Sequence, residues 1–404
     1  MSEPLVIIGN GMAAARLVDE AAKRSLGRYA IAVVGEEPRL AYNRVLLSSL
    51  LADEVAAADV ELKPARWWRD RGVTLRYGSP ATAIDVGARV VSLADGTRLP
   101  FVQAVLATGS RPIRLPTPGM QLDGVMTFRD IGDVDVMRGF AGPAARVVVI
   151  GGGLLGLEAA YGLAKSGARV TLVHLMERLM ERQLDDNAAA MLRRAIEARG
   201  VTVLLGAETA RIAGAQRVEA VELTDGRVIA ADLVVMAVGV RPNATLAAQA
   251  GIAVNRGIMV DDGLATSAPG IFAIGECAEH RGQCYGLVEP AYEHATVLAR
   301  RLAGQDAHYT GSVMATNLKV SGVDVFSAGD FLGARGAEQV VLHDPGVGLY
   351  RKLVIVDDRL IGAVLYGDTT DGLWYLDLIR SGRSIASLRD ELAFGRALVD
   401  RVAA

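Results

Sequence analysis

The sequence predicts an α/β fold in which one strand, glycine turn, helix and strand unit is written twice, followed by a small α+β C-terminal domain. Three observations carry this. An apolar strand running into a glycine turn and a helix starts near residue 5 and again near residue 147. Each copy is followed by Asp-Gly and then by a V-x-A-x-G-x-R-P stretch. From about residue 311 the pattern changes to short alternating strands with helices after them.

The first unit has the strand Leu5-Val6-Ile7-Ile8, the turn Gly9-Asn10-Gly11-Met12-Ala13-Ala14, a helical stretch from Ala15 to Lys23 and a strand from Ala30 to Val34. In the second, Val147-Val148-Val149-Ile150 leads into Gly151-Gly152-Gly153-Leu154-Leu155-Gly156, a helix through Lys165 and a strand from Arg169 to Val173. Both read as the start of a Rossmann-like dinucleotide-binding domain. The first glycine makes the tight turn, the second lets the backbone approach a pyrophosphate, and the third small residue lets helix pack on strand. The pyrophosphate then lies on the helix N-terminus, where unpaired N–H groups favour an anion. One such fingerprint is weak on its own. The second repeat strengthens it: Asp95-Gly96 precedes Val105-Leu106-Ala107-Thr108-Gly109-Ser110-Arg111-Pro112, and Asp225-Gly226 precedes Val235-Met236-Ala237-Val238-Gly239-Val240-Arg241-Pro242, with the same spacing in both. Two unrelated hairpins would not share that spacing.

A chain of 404 residues exceeds the size at which single cores stop growing, about 250–300 residues, so two or three domains are expected. The formal charge of −3 leaves no basic surplus for nucleic acid or an anionic membrane. The strand beginning at Leu5 leaves no room for a secretory leader ahead of it, which points to the cytoplasm. The apolar run from Val147 to Ala164 contains Gly151, Gly152, Gly153, Gly156 and Glu158 and reads as strand, turn and buried helix, not as a membrane span. The two cysteines, Cys277 and Cys284, and the five scattered histidines show no zinc, iron–sulfur or H-E-x-x-H spacing. No metal is expected, and redox chemistry here requires an organic cofactor.

Both fingerprints, both V-x-A-x-G-x-R-P strands and the later Thr266-Ser267-Ala268-Pro269-Gly270-Ile271-Phe272-Ala273-Ile274-Gly275-Glu276 resemble the two-dinucleotide-binding-domain flavoproteins of the ferredoxin and rubredoxin reductase type. Gly9-Asn10-Gly11-Met12-Ala13, Tyr42-Asn43-Arg44-Val45-Leu46-Leu47-Ser48-Ser49, Leu179-Met180-Glu181-Arg182-Gln183-Leu184-Asp185 and Gly275-Glu276-Cys277-Ala278 are most similar to the N-terminal flavin region of assimilatory NAD(P)H nitrite reductase large subunits. Those proteins continue into iron–sulfur and sirohaem regions, whereas this sequence stops at Ala404. The resemblance implies a glutathione-reductase-like fold. Its FAD-binding domain is discontinuous, residues 1–115 and 244–310, its NAD(P)H-binding domain spans 116–243, and an α+β domain spans 311–404.

By the same resemblance, Gly9, Gly11 and Ala14 hold the FAD pyrophosphate, Glu36 accepts the adenosine ribose hydroxyls and Arg44 lies along the cofactor. Thr108 and Gly109 line the flavin site; Gly275 and Glu276 approach the ribityl chain; Leu287 and Pro290 belong to a segment whose helix start faces the flavin ring. Gly151, Gly153, Leu155, Gly156 and Gly239 serve NADH or NADPH, and Glu158 approaches the nicotinamide without the lysine that many relatives set beside it, since Leu47-Ser48-Ser49 supplies none. His174 ends the strand where an NAD-preferring domain has an acid; a neutral imidazole can hydrogen-bond a ribose hydroxyl and the nearest arginine is Arg178, which favours NADH. Hydride passes directly between stacked rings, so no protein nucleophile is needed. The cysteines lie outside the first FAD helix, where the disulfide reductases keep their redox pair, and read as ordinary thiols. The implied activity is an FAD-dependent NAD(P)H oxidoreductase, monomeric or homodimeric, feeding a small one-electron redox protein or a nitrate/nitrite reductase subunit. A rubredoxin or ferredoxin reductase of another pathway, an NADH oxidase and a redox-sensing flavoprotein with slow turnover remain open.

Overall fold

In a parallel sheet covered on both faces, every residue of a strand is buried, and neighbours along the strand enter opposite cores. The strand Glu3–Ile8 shows this over its last four residues: Leu5 and Ile7 join one apolar cluster while Val6 and Ile8 join another. The computed structural model describes residues 2–24, 27–140, 142–320 and 322–402, so the outermost residues of the expected domains lie outside it. It divides into two compact units. One comprises Met1–Leu50, Glu54–Ile113 and Val240–Ser312, and the other Leu51–Asp53, Arg114–Gly239 and Val313–Ala404.

In the first unit a five-stranded parallel sheet runs in the order Ile271–Ala273, Gln103–Leu106, Glu3–Ile8, Tyr29–Val34, Thr74–Arg76. The helices Met12–Arg24 and Val288–Leu302 pack together on the face that Leu5 and Ile7 enter. On the other face lies the three-stranded antiparallel sheet Ala81–Asp85, Val90–Leu93, Arg98–Pro100.

The second unit repeats the plan. Its parallel sheet has the order Thr202–Leu204, Arg169–Val173, Arg146–Ile150, Leu233–Met236, Val125–Thr127, with the helix Leu154–Lys165 packed on it and an antiparallel sheet of Thr209–Ala213, Ala220–Leu223 and Val228–Ala230. The two Asp-Gly hairpins match bond for bond. Asp95 Oδ1 accepts from the Thr97 N–H at 2.8 Å and Asp225 Oδ1 from the Arg227 N–H at 3.0 Å, while Gly96 and Gly226 take φ of 82° and 88°. Each V-x-A-x-G-x-R-P stretch breaks into two strands at its glycine, because Gly109 and Gly239 adopt positive φ. The two Arg-Pro segments, Ser110–Pro112 and Val240–Pro242, then pair antiparallel with Arg241 opposite Arg111.

The C-terminal residues form a five-stranded antiparallel sheet, in the order Ala315–Val320, Val323–Gly329, Arg359–Tyr366, Leu349–Val356, Glu338–Asp344, under the helix Gly372–Ser381. The last three of these strands extend the stretches expected from Leu360 to Leu365, from Lys352 to Val356 and from Gln339 to Leu342. Arg351 is buried in this sheet, donates to the Ala393 carbonyl and the Tyr375 hydroxyl at 3.0 Å, and pairs with Asp371 at 3.2 Å. Within the same unit, Asp185 caps the helix Asp186–Glu197 by accepting from the Ala188 N–H, and its other oxygen accepts from the Tyr350 hydroxyl at 2.6 Å with Lys352 Nζ at 3.6 Å.

Asp185 therefore serves a helix cap and two buried partners from one sheet strand. Replacing Asp185 with Ala should lower stability in urea denaturation by about 2–4 kcal/mol, because it removes a cap and leaves a buried lysine uncompensated, whereas Tyr350→Phe should cost about 1 kcal/mol. Equal losses for the two variants would remove Asp185 from that role.

Candidate functional site

At Gly9, φ is +116° and an added Cβ would lie 2.1 Å from the Ala107 carbonyl oxygen, so no other residue can make this turn. The Gly9 N–H donates to the Val34 carbonyl at 2.7 Å, closing the turn against the second strand. Gly11 has open space where a side chain would go, and the helix starts at Met12, leaving its first N–H groups without helical acceptors. Ala14 is fully buried where the helix meets the sheet. Asn10 donates from Nδ2 to the Arg39 carbonyl at 3.1 Å, while its Oδ1 is buried with no partner. An open glycine and free helix N–H groups fit the pyrophosphate of a bound dinucleotide.

Glu36 is exposed, two residues beyond the strand Tyr29–Val34. Glu37 accepts from the Tyr42 hydroxyl at 2.6 Å and pairs with Arg44, whose guanidinium lies 5.1 Å from the Tyr42 ring centre. Burial works against the Arg44 charge, yet Tyr42, Glu37 and Glu276 hold its pKa above the ordinary arginine value.

Thr108 donates from Oγ1 to the Asn243 carbonyl at 2.6 Å, and the Asn243 N–H returns a bond to the Gly109 carbonyl at 2.8 Å. Next to them the Ser110 hydroxyl donates to Glu276 at 2.6 Å. Gly275 has φ of +75°, and a Cβ there would lie 3.0 Å from the Ala13 Cβ, so the Glu276 turn sits directly on the first glycine turn. Leu287 caps the helix Val288–Leu302 and Pro290 is buried in its first turn. Thus Gly9, Thr108, Gly109, Gly275 and Glu276 converge, with Arg44 within reach of Glu276.

Sequence patterns alone did not single out His294. It is fully buried on the helix Val288–Leu302, and its Nδ1 accepts from the Gly275 N–H at 3.1 Å. Burial, assisted by nearby His280, lowers its pKa to about 3, so the ring is neutral and keeps its acceptor. The only sequence signal for it is a histidine on the apolar face shared with Ala291, Ala295 and Leu298. Cys277, in the turn after Glu276, donates weakly to the Leu106 and Ile274 carbonyls, and burial raises both the Cys277 and Cys284 thiols. Neither thiol is set up as a nucleophile.

The second turn follows the first. Gly151 has φ of +120°, its added Cβ would lie 2.3 Å from the Ala237 carbonyl oxygen, and its N–H donates to the Val173 carbonyl at 2.8 Å. Gly153 is open, and a Cβ on Gly156 would lie 1.9 Å from the Gly151 carbonyl oxygen. Leu155 and Glu158 are half-buried along the first turns of the helix. Gly239 takes φ of +111°.

His174 departs from the expected geometry. Its ring is 8 % exposed and turned inward: Nδ1 accepts from the Gly152 N–H at 3.0 Å, and the Nε2 proton is shared between the Arg178 carbonyl at 3.1 Å and Glu181 at 3.2 Å. The residue corresponding to Glu36 is Leu175, which is 60 % exposed. Arg178 pairs with Asp186 at 2.8 Å, and Arg182 is exposed. Among the described residues no group of three or more His, Cys, Asp or Glu is placed to hold a metal ion, and no helix is long and apolar enough to cross a membrane.

Residues 3–299 match the Pyridine nucleotide-disulphide oxidoreductase family and residues 315–383 the Rubredoxin NAD+ reductase C-terminal domain. The chain is 44 % identical to a nitrite reductase [NAD(P)H] of Bacillus subtilis, over 95 % of the chain and 48 % of that protein. It is 40 % identical to the assimilatory nitrate reductase electron transfer subunit of the same organism, over 96 % of the chain and 50 % of that protein. The chain thus spans about half the length of these relatives. Among solved structures, the ferredoxin reductase for the CYP199A2 system from Rhodopseudomonas palustris superposes with a TM-score of 0.90 at 27 % identity, covering 100 % of both chains.

The neutral His294 gives a pH dependence of stability. Above its ordinary value of 6.5 the ring is neutral folded or unfolded, and its contribution is complete; as pH falls from 6.5 toward about 3, only the unfolded chain takes up the proton and that contribution is lost. From pH 7 to pH 5 the protein should lose about 1–2 kcal/mol more than His294→Gln, by urea denaturation at each pH. Parallel pH profiles for the two proteins would show that His294 does not titrate this way.

Proposed function

Because the chain belongs to the pyridine nucleotide-disulphide oxidoreductase family, we propose that it is an FAD-dependent NAD(P)H oxidoreductase whose electrons go to a separate redox protein. One observation carries this reading: two glycine turns, at Gly9 and Gly151, share positive φ, the same strand-end hydrogen bond and the same carbonyl contact, so the chain holds two dinucleotide cradles of one design. FAD, when bound, takes hydride from NAD(P)H and can release its electrons one at a time.

The protein's part is positioning and electrostatics. Gly9, Gly11 and Ala14 would seat the FAD pyrophosphate, Glu36 would accept from the adenosine ribose, and Arg44, kept charged by Glu37 and Glu276, would lie along the phosphates. Thr108, Gly109 and Gly275 would shape the flavin side, and Glu276, which accepts from Ser110, would face the ribityl chain. Leu287 and Pro290 open the helix Val288–Leu302, whose N-terminus favours negative charge near the flavin ring. Gly151, Gly153, Leu155, Gly156 and Gly239 would cradle NAD(P)H, with Glu158 near the nicotinamide.

Assimilatory nitrate or nitrite reduction is the setting the relatives' names favour, with a one-electron iron protein or a reductase subunit as acceptor, and the cytoplasm is the compartment proposed for it. The match at residues 315–383 keeps a rubredoxin or ferredoxin as a second possibility. A transient encounter suits either, since redox complexes commonly bury less than about 1,200 Å².

Stopped-flow mixing of the FAD-loaded protein with NADH should bleach the flavin within single turnovers, and an iron–sulfur or rubredoxin acceptor should restore the colour. A Cys277→Ser/Cys284→Ser variant should do both at rates within about twofold, since neither raised thiol is placed as a conduit. Normal bleaching without reoxidation in that variant would make the thiols the outlet and overturn the mechanism.

Preference for NADH over NADPH should be modest. Leu175 brings no carboxylate to exclude a 2′-phosphate, and Arg178 is engaged by Asp186. The kcat/KM ratio is expected to favour NADH by about tenfold or less, and a ratio favouring NADPH that disappears in Arg178→Ala would reverse the assignment.

A further inference from the structure

The two glycine turns solve one steric problem in opposite ways. Gly35 and His174 occupy the same place, one residue past the second strand, with N–H groups donating to the Arg76 and Leu204 carbonyls at 2.7 and 2.9 Å. Asn10 and Gly152 also correspond, each following its positive-φ glycine. In the first module the side chain belongs to the turn: a Cβ added to Gly35 would lie 2.7 Å from the Asn10 Cβ. In the second it belongs to the strand end: a Cβ added to Gly152 would lie 2.6 Å from His174 Cγ and Cδ2, with the end of the Leu179 side chain next at 2.8 Å. There is room for one side chain in this gap, and the modules supply it from opposite sides.

The hydrogen bonding corresponds as well. Asn10 Nδ2 donates to the Arg39 carbonyl and His174 Nε2 to the Arg178 carbonyl, both at 3.1 Å and both on the loop after the second strand. In the second module the imidazole also takes up the Gly152 N–H, which fixes its tautomer with the proton on Nε2. The Met180 N–H closes the other side by donating to the Gly152 carbonyl at 3.0 Å.

We propose that His174 is a positioning residue for the nicotinamide dinucleotide: it joins the turn Gly151–Gly153 to the loop 175–181 and does not itself hold the ribose. This rests on the reading of the second module as the NAD(P)H site. With the Gly152 N–H turned inward, the N–H groups left for an anion are those at the start of the helix Leu154–Lys165. The loop carrying Leu175 to Arg178 then keeps a fixed distance from them. Without the imidazole a buried N–H loses its acceptor and the loop keeps only the backbone bond from Met180 to Gly152 as its link to the turn.

The experiment is calorimetric titration of the FAD-loaded protein with NAD+, which measures binding without turnover, alongside FAD content for each variant. His174→Leu should bind NAD+ about tenfold to hundredfold more weakly, with FAD content unchanged. His174→Asn, whose Oδ1 can accept from Gly152, should stay within about threefold. The decisive variant transfers the first module's arrangement: Gly152→Asn and His174→Gly should each be weak, and the double variant, in which only the flexible end of Leu179 has still to give way, should recover most of the affinity although it has no imidazole. Weak binding in the double variant and in His174→Asn would mean that the ring touches the nucleotide directly, and unchanged affinity in His174→Leu would mean that it does nothing for binding; either overturns the proposal. If His174→Leu does not accumulate with FAD, the Asn and double variants decide it by the same outcomes. An unsubstituted protein that binds no NAD+ would instead refute the function proposed for the module.

Discussion

Both dinucleotide modules depend on a close approach of backbone to backbone. At Gly9 and at Gly151 a carbonyl just past the end of the neighbouring strand, that of Ala107 or Ala237, comes within about 2 Å of where a side chain would start. The same residues after the strand donate back, Ala107 N–H to the Ile8 carbonyl and Ala237 N–H to the Ile150 carbonyl. This contact fixes where the first strand ends, where the helix begins and therefore where its unpaired N–H groups point. Everything assigned to cofactor binding follows from that direction. A methyl group at either glycine would push the crossover strand away and take the Thr108–Gly109 or Val238–Gly239 segment with it.

The turns were readable in the sequence because only glycine permits them, and glycine spacing is visible without a structure. The hairpins were readable for the same reason, since Asp-Gly has a mechanism as well as a frequency. The two opening strands of the C-terminal sheet, Ala315–Val320 and Val323–Gly329, were not picked out. They contain Asn317, Lys319, Asp324 and Ser327 and lack a clean alternation of apolar residues, so their pairing depends on the sheet they join and not on their own pattern. The V-x-A-x-G-x-R-P stretches look continuous in sequence, but the positive φ at their glycines divides each into two strands belonging to different sheets.

His174 shows how one residue of register decides which way a strand-end side chain faces. The strand Arg169–Val173 was located, and its end was taken as the place for a ribose ligand. Side chains alternate in direction along extended backbone, so a shift of one residue exchanges outward for inward. Leu175 faces solvent and His174 faces the glycine turn. In chain order Leu175 follows His174 as Glu36 follows Gly35, and the His174 and Gly35 N–H groups make corresponding backbone bonds. His294 was missed for a different reason: a histidine on an apolar helix face is ambiguous until its acceptor is matched to a particular N–H, here that of Gly275 across nineteen residues of chain.

The exchange of side chains between Asn10 over Gly35 and His174 over Gly152 also bears on how such duplicated folds diverge. At a gap that admits one side chain, a change on either side alone produces a collision or a void, so the two positions must change together. Residue identity is then lost at both positions while the geometry and the bond to the loop carbonyl persist. Comparing the modules residue by residue would therefore score these places as mismatches, although they perform the same mechanical task. The task itself explains the persistence: the loop after the second strand has no strand or helix of its own before residue 44 in one module or residue 186 in the other. In the first module Asn10 reaches the Arg39 carbonyl, and in the second His174 reaches the Arg178 carbonyl beside the backbone bond from Met180 to Gly152, so in both a side-chain N–H aimed at one loop carbonyl helps fix the loop against the turn.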